Sequence, residues 1–115
     1  MGTVVPLRQY AQVVLNGSGA GTAKVGPLSA RETWSPTSAS IQCSTTVNEA
    51  TCNVYAGSTA TQPDYVDASF AGSSGDSTSR VSGTTIYCGQ YVWAVWTGGD
   101  PGATATLTVT GSRTV

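Results

Sequence analysis

Near the C-terminal end of the chain, Ala103-Thr104-Ala105-Thr106-Leu107-Thr108-Val109-Thr110 alternates apolar and hydroxyl side chains without a break. A strand projects successive side chains to opposite faces, whereas a helix would scatter them. Ala105, Leu107 and Val109 therefore share one face of a half-buried strand, and the threonines line a face that should meet solvent. Nowhere do apolar residues recur at helical spacing of three and four, and Lys, Glu, Leu and Met, which favour helices, are scarce. The fold class this predicts is all-β.

Further strand candidates, each bounded by Gly, Pro, Asn or Ser, run over Gln9 to Leu15, Thr22 to Val25, Glu32 to Trp34, Ala39 to Cys43, Thr51 to Tyr55, Tyr65 to Phe70, Thr84 to Cys88 and Tyr91 to Thr97. Turn signals spaced by roughly 8 to 12 residues make each strand double back over the same core, as in a sandwich or barrel. The expected architecture is a two-sheet antiparallel β-sandwich, jelly-roll-like, with eight or nine short strands. At 115 residues the chain suits one domain. The division read from the pattern is an extended N-terminal arm over residues 1–8 and a single sandwich domain over 9–115. With 39% apolar and 10% charged residues, the chain is too hydrophobic and too weakly charged for disorder.

The composition removes several kinds of chemistry. There is no histidine, so Ser-His-Asp and Cys-His catalysis are impossible as written. Asp64 and Asp67 are the nearest carboxylate pair, but three residues apart on an extended chain they face opposite ways more often than not. The expectation is a protein that is not an enzyme. Three cysteines, Cys43, Cys52 and Cys88, show no Cys-x-x-Cys spacing, and neither a metal nor another cofactor is expected. Cys43 and Cys52 flank Val47-Asn48 symmetrically, so a hairpin there would oppose them; buried thiols in a reducing cell are favoured, with a disulfide as the alternative.

Asn16-Gly17-Ser18-Gly19-Ala20-Gly21 has no helix pattern after it and no Lys-Ser/Thr to close it, so it reads as a hairpin turn rather than a phosphate cradle. Residues 71–77 and 98–102 read as surface loops. Five basic and six acidic residues lie scattered, for a net charge of −1, and form no basic stripe for nucleic acid. No apolar run approaches the roughly 20 residues of a membrane span, and the start lacks the order of a signal peptide, so synthesis in the cytoplasm is expected.

The most informative segment is Tyr91-Val92-Trp93-Ala94-Val95-Trp96-Thr97. One face carries Tyr91, Trp93 and Val95, the other Val92, Ala94 and Trp96, so neither is polar, although a sandwich strand normally buries only one. A long loop of this chain or a partner must cover the second. Tyr91, Trp93 and Trp96 are therefore candidate partner-binding residues. Trp34, before Ser35-Pro36, is a fourth, marking either a capped core or a contact. Val4 and Val5, in the extended arm, would either add a strand to a neighbour's exposed edge or belong to a frayed terminus.

At Gly26-Pro27-Leu28-Ser29-Ala30-Arg31-Glu32-Thr33-Trp34-Ser35-Pro36 and at Tyr91 to Ala103, through Gly98-Gly99-Asp100-Pro101-Gly102, the chain resembles small virion-associated proteins of tailed phages infecting actinobacteria. The resemblance implies a capsid decoration (head accessory) protein or a small tail module. A decoration protein would bind the lattice of the major capsid protein on the capsid exterior of the virion, stabilise the head, and make homo-oligomer contacts with its own copies. The alternative is a tail or tail-tip module in which Trp34, Trp93 or Trp96 stacks on a host cell-surface glycan.

Overall fold

Alternate apolar side chains decide which face of each strand turns inward, and here the inward faces of two sheets meet. The computed structural model describes residues 2–48, 50–61, 64–71 and 76–115, with the backbone alone for 68–71. Residues 72–75, in the middle of the loop expected at 71–77, lie outside the described residues. Among the described residues there are eight strands: β1 (Val4–Val14), β2 (Gly21–Val25), β3 (Thr33–Cys43), β4 (Thr51–Gly57), β5 (Tyr65–Ala71), β6 (Asp76–Thr78), β7 (Tyr91–Thr97) and β8 (Thr104–Thr114). No helix among them is long and apolar enough to cross a membrane.

All pairings are antiparallel, in one sheet of order β1-β8-β3-β6 (sheet A) and another of order β2-β7-β4-β5 (sheet B). Each strand of the first half pairs with its mirror in the second: β1 with β8, β2 with β7, β3 with β6, β4 with β5. The chain is thus one long folded ribbon, rolled so that β8 also meets β3 and β7 also meets β4. This is the jelly-roll arrangement.

The core lies between the sheets. Ala105, Leu107 and Val109 of β8 are fully buried, opposite Val92, Ala94 and Trp96 of β7 and Cys52 and Val54 of β4. The threonine face of β8 turns outward beside Ser38, Ser40 and Gln42 of β3. In β3, Trp34 and Pro36 point inward, but so do Ala39, Ile41 and Cys43, which lie out of phase with them. A bulge between Pro36 and Ser38 takes up the odd residue, so one continuous strand replaces the two expected around Pro36. Opposite the bulge stands Gly111, where an added Cβ would lie 2.5 Å from the Ser35 carbonyl oxygen.

Several expectations need correction. Residues 4–8 are no free arm: they form the first part of β1, with Val4 opposite Thr114 and Val5 opposite Arg113. The Asn16–Gly21 segment is no hairpin turn, because β1 and β2 belong to different sheets. Asn16 Oδ1 accepts the N–H groups of Ser18 and Ala20 there, and the chain crosses between sheets. Cys43 and Cys52 are not opposed across a hairpin, since they lie in β3 of sheet A and β4 of sheet B, but both are buried free thiols, the state the sequence favours. Thr84 to Cys88 makes only a single bridge, Ile86 with Trp34, while Asp76–Thr78 forms the short edge strand β6.

Candidate binding face

Strand β7 lies between β2 and β4, so its outward side chains are flanked on both sides. Val92, Ala94 and Trp96 turn into the core, leaving Tyr91, Trp93 and Val95 half-buried on the outer face of sheet B. Register then builds a row across all four strands. Lys24 of β2 stands opposite Trp93 of β7, Trp93 opposite Tyr55 of β4, and Tyr55 opposite Tyr65 of β5. At about 4.8 Å per strand, the row spans roughly 14 Å.

Its members hold one another. The Lys24 Nζ lies 4.4 Å from the Tyr91 ring centroid and 5.0 Å from that of Trp93, an attraction of the ammonium to both ring faces. Tyr91 meets Trp93 edge to face at 5.4 Å, and Tyr55 meets Tyr65 likewise at 5.9 Å. The Trp93 indole N–H donates to the Gly57 carbonyl at 3.1 Å, and the Asn53 amide donates to the Tyr55 hydroxyl at 3.4 Å. The second apolar face of β7 is therefore covered in part by Lys24 and Tyr55, side chains of the same sheet.

The six sequence candidates separate. Tyr91 and Trp93 belong to this face. Trp96 is only 2% exposed, inside the core, and so is Trp34, whose indole N–H donates to Glu32 Oε1 at 2.6 Å; Glu32 in turn lies 3.6 Å from Arg113. Neither buried tryptophan is available to a partner. Val4 is exposed and Val5 half-buried, both on β1 of the other sheet. Lys24, Tyr55 and Tyr65 were missed, because nothing local in the sequence sets their register against Trp93.

A second apolar feature opens where the edges of the two sheets, β1 and β2, come together. This groove of about 440 Å³ is lined by Tyr10, Ala11, Lys24, Leu28, Tyr91 and Arg113, among others. Tyr10 is 67% exposed and Leu28 96%, so its rim presents apolar surface to solvent.

Three of the aspartates bind neighbouring groups of the fold. Asp64 accepts from the N–H and hydroxyl of Thr59, and Asp67 from the Thr78 hydroxyl, with Arg80 at 3.6 Å. Asp100 accepts from the backbone N–H groups of Thr46, Val47 and Asn48, which hold its carboxyl well below the usual range and tie the β7–β8 loop to the β3–β4 loop. Burial pushes the Cys52 thiol up to about 12. Among the described residues, no group of three or more His, Cys, Asp or Glu is placed to hold a metal ion.

Comparison with protein-family models, curated proteins and solved structures finds no match, so function must be argued from the chain's own geometry.

Proposed function

We propose that this chain is a non-enzymatic structural protein that docks on another protein through the outer face of sheet B. In the phage setting implied by its resemblance, the partner is the major capsid protein, and the chain decorates the capsid exterior and stabilises the head. The observation that carries the reading is the row Lys24–Trp93–Tyr55–Tyr65, with Tyr91 beside it. Trp and Tyr supply much of the binding energy in protein interfaces, because they bury large area at little cost in side-chain freedom. Rings already fixed by edge-to-face contacts and by the Trp93 hydrogen bond lose still less on binding.

Docking that favours the assembled lattice over its separate subunits stabilises the lattice by mass action. Low net charge lets many copies crowd on one surface with little mutual repulsion. The glycan-binding alternative fits the geometry less well: Lys24 stands over the rings of Tyr91 and Trp93, where a sugar would stack, and Trp34 and Trp96 are buried. The test is to mix purified protein with phage heads lacking it. Near-stoichiometric rebinding is expected. Failure to bind heads, with recovery on tails or a tryptophan fluorescence change on titration with host cell-wall polysaccharide, would overturn the proposal.

A further inference from the structure

We infer that the free edge of β1 is a self-association surface, on which a second copy of this chain adds its own β1 antiparallel about a two-fold axis at Ala11. Hydrogen-bond parity along β1 sets which of its backbone groups face outward. Thr3 and Val115 exchange both backbone bonds, and the Leu15 N–H donates to the Ala103 carbonyl. In an antiparallel ladder such pairs alternate with non-bonded ones, so the odd-numbered residues of β1 bond to β8 and the even-numbered ones direct their N–H and C=O groups away from it. That outward row is the exposed edge of sheet A.

The outward row has defined ends. Pro6 is even-numbered and has no N–H, so it interrupts the row without cost to the β8 ladder. At the other end the Asn16 N–H is taken by the Ala20 carbonyl. The uninterrupted donors and acceptors therefore belong to Arg8, Tyr10, Gln12 and Val14, a set centred on Ala11.

A set symmetric about one residue is matched by itself turned through a two-fold. In that register Arg8 faces Val14 of the second copy and Tyr10 faces Gln12, giving four bonded pairs of two hydrogen bonds each. The two Ala11 residues meet on the axis in a non-bonded pair, the closer kind, about 4.5 Å between Cα atoms, where a small side chain fits. No like charges stand opposite: Arg8 is the one charged residue in the segment. The pairing also brings a second chain against Tyr10 and Val14, which a lone chain leaves largely in water. An edge this long and open commonly carries a blocking charge or proline along its middle; here both lie towards the N-terminal end.

The test uses the protein alone, so its outcome is independent of docking on a capsid. Sedimentation equilibrium at roughly 10 and 100 μM, the range in which small interfaces associate, should give twice the chain mass of 11.6 kDa. Gln12→Pro removes an outward N–H in the way that native Pro6 does, and should return the mass to 11.6 kDa with the far-ultraviolet circular dichroism unchanged. Val14→Lys, which sets a lysine opposite Arg8, should weaken dimerisation at least tenfold, and adding Arg8→Glu should restore it. Monomer at both concentrations overturns the inference. So does a dimer that survives both single substitutions, and Val14→Lys decides the matter should Gln12→Pro fail to fold.

Discussion

Deleting Thr37 should leave the fold standing, whereas deleting Thr108 should nearly unfold it. Thr37 is the extra residue of the β3 bulge: Pro36 faces Gly111 and Ser38 faces Thr110, so removing it joins two segments already in register with β8. Trp34, Pro36, Ala39, Ile41 and Cys43 would then alternate inward along a regular strand. The losses are the hydrogen bond from the Thr37 hydroxyl to the Thr110 carbonyl, worth about 1 kcal/mol, and some relaxation of local twist. Thr108 has no such slack. Without it residues 104–107 slip by one and reverse faces, or residues 109–114 do.

The first choice expels Leu107, for about 2–5 kcal/mol, and buries the Thr106 hydroxyl without a partner, for about 1–3 kcal/mol. Together these approach the roughly 5–15 kcal/mol that holds a domain of this kind. Urea unfolding at matched slope gives both values: a midpoint near native for the Thr37 deletion, and a large fall or no cooperative transition for the Thr108 deletion. Equal losses in the two deletions, or a greater loss for Thr37, would refute the account of the bulge.

Asp100 sets an acid limb. Its folded pKa is lowered, so its contribution is complete above the unfolded value of about 3.9 and is lost as pH falls towards the folded one. Thermal melts between about pH 5 and 2 should show this decline, and Asp100→Asn should be less stable near neutrality and flatter in that window. Alkylation at about pH 8 followed by mass spectrometry should label the exposed Cys88 alone in the native chain, and Cys43 and Cys52 only after denaturation, because burial removes their access and suppresses the Cys52 thiolate.

Strands with strong β-forming runs between turn residues were legible from the sequence, and β8 and β7 are the clearest. The inner face of β8, Ala105-Leu107-Val109, follows from a period of two alone, whereas in β7 the period only separates Val92-Ala94-Trp96 from Tyr91-Trp93-Val95. The phase change between Trp34-Pro36 and Ala39-Ile41-Cys43 is also written in the sequence, but Pro36 made it look like a break rather than a bulge. Ile86 is apolar and fully buried, yet its segment pairs only at one bridge, since burial does not require a ladder.

The binding face was only half legible. Tyr91 and Trp93 stand out because β7 is apolar on both sides, but which of Trp93 and Trp96 points outward depends on the sheet packed beneath. Lys24 and Tyr55 lie far from Trp93 along the chain, and only the rolled topology makes them neighbours. Trp34 is held by the Glu32–Arg113 pair, and Arg113 is too distant along the chain for sequence to place it there.

The central claim, that the outer face of sheet B is the docking face, is tested most directly by comparing substitutions on the two outer faces for rebinding to phage heads lacking the protein. Trp93→Ala and Tyr55→Ala should each weaken binding by at least tenfold, as interface hot spots do at about 1.4 kcal/mol per decade. Thr108→Lys, on the outer face of sheet A, should leave binding within about twofold of native. Full binding by Trp93→Ala with loss in Thr108→Lys would place the contact on the opposite face and contradict the claim.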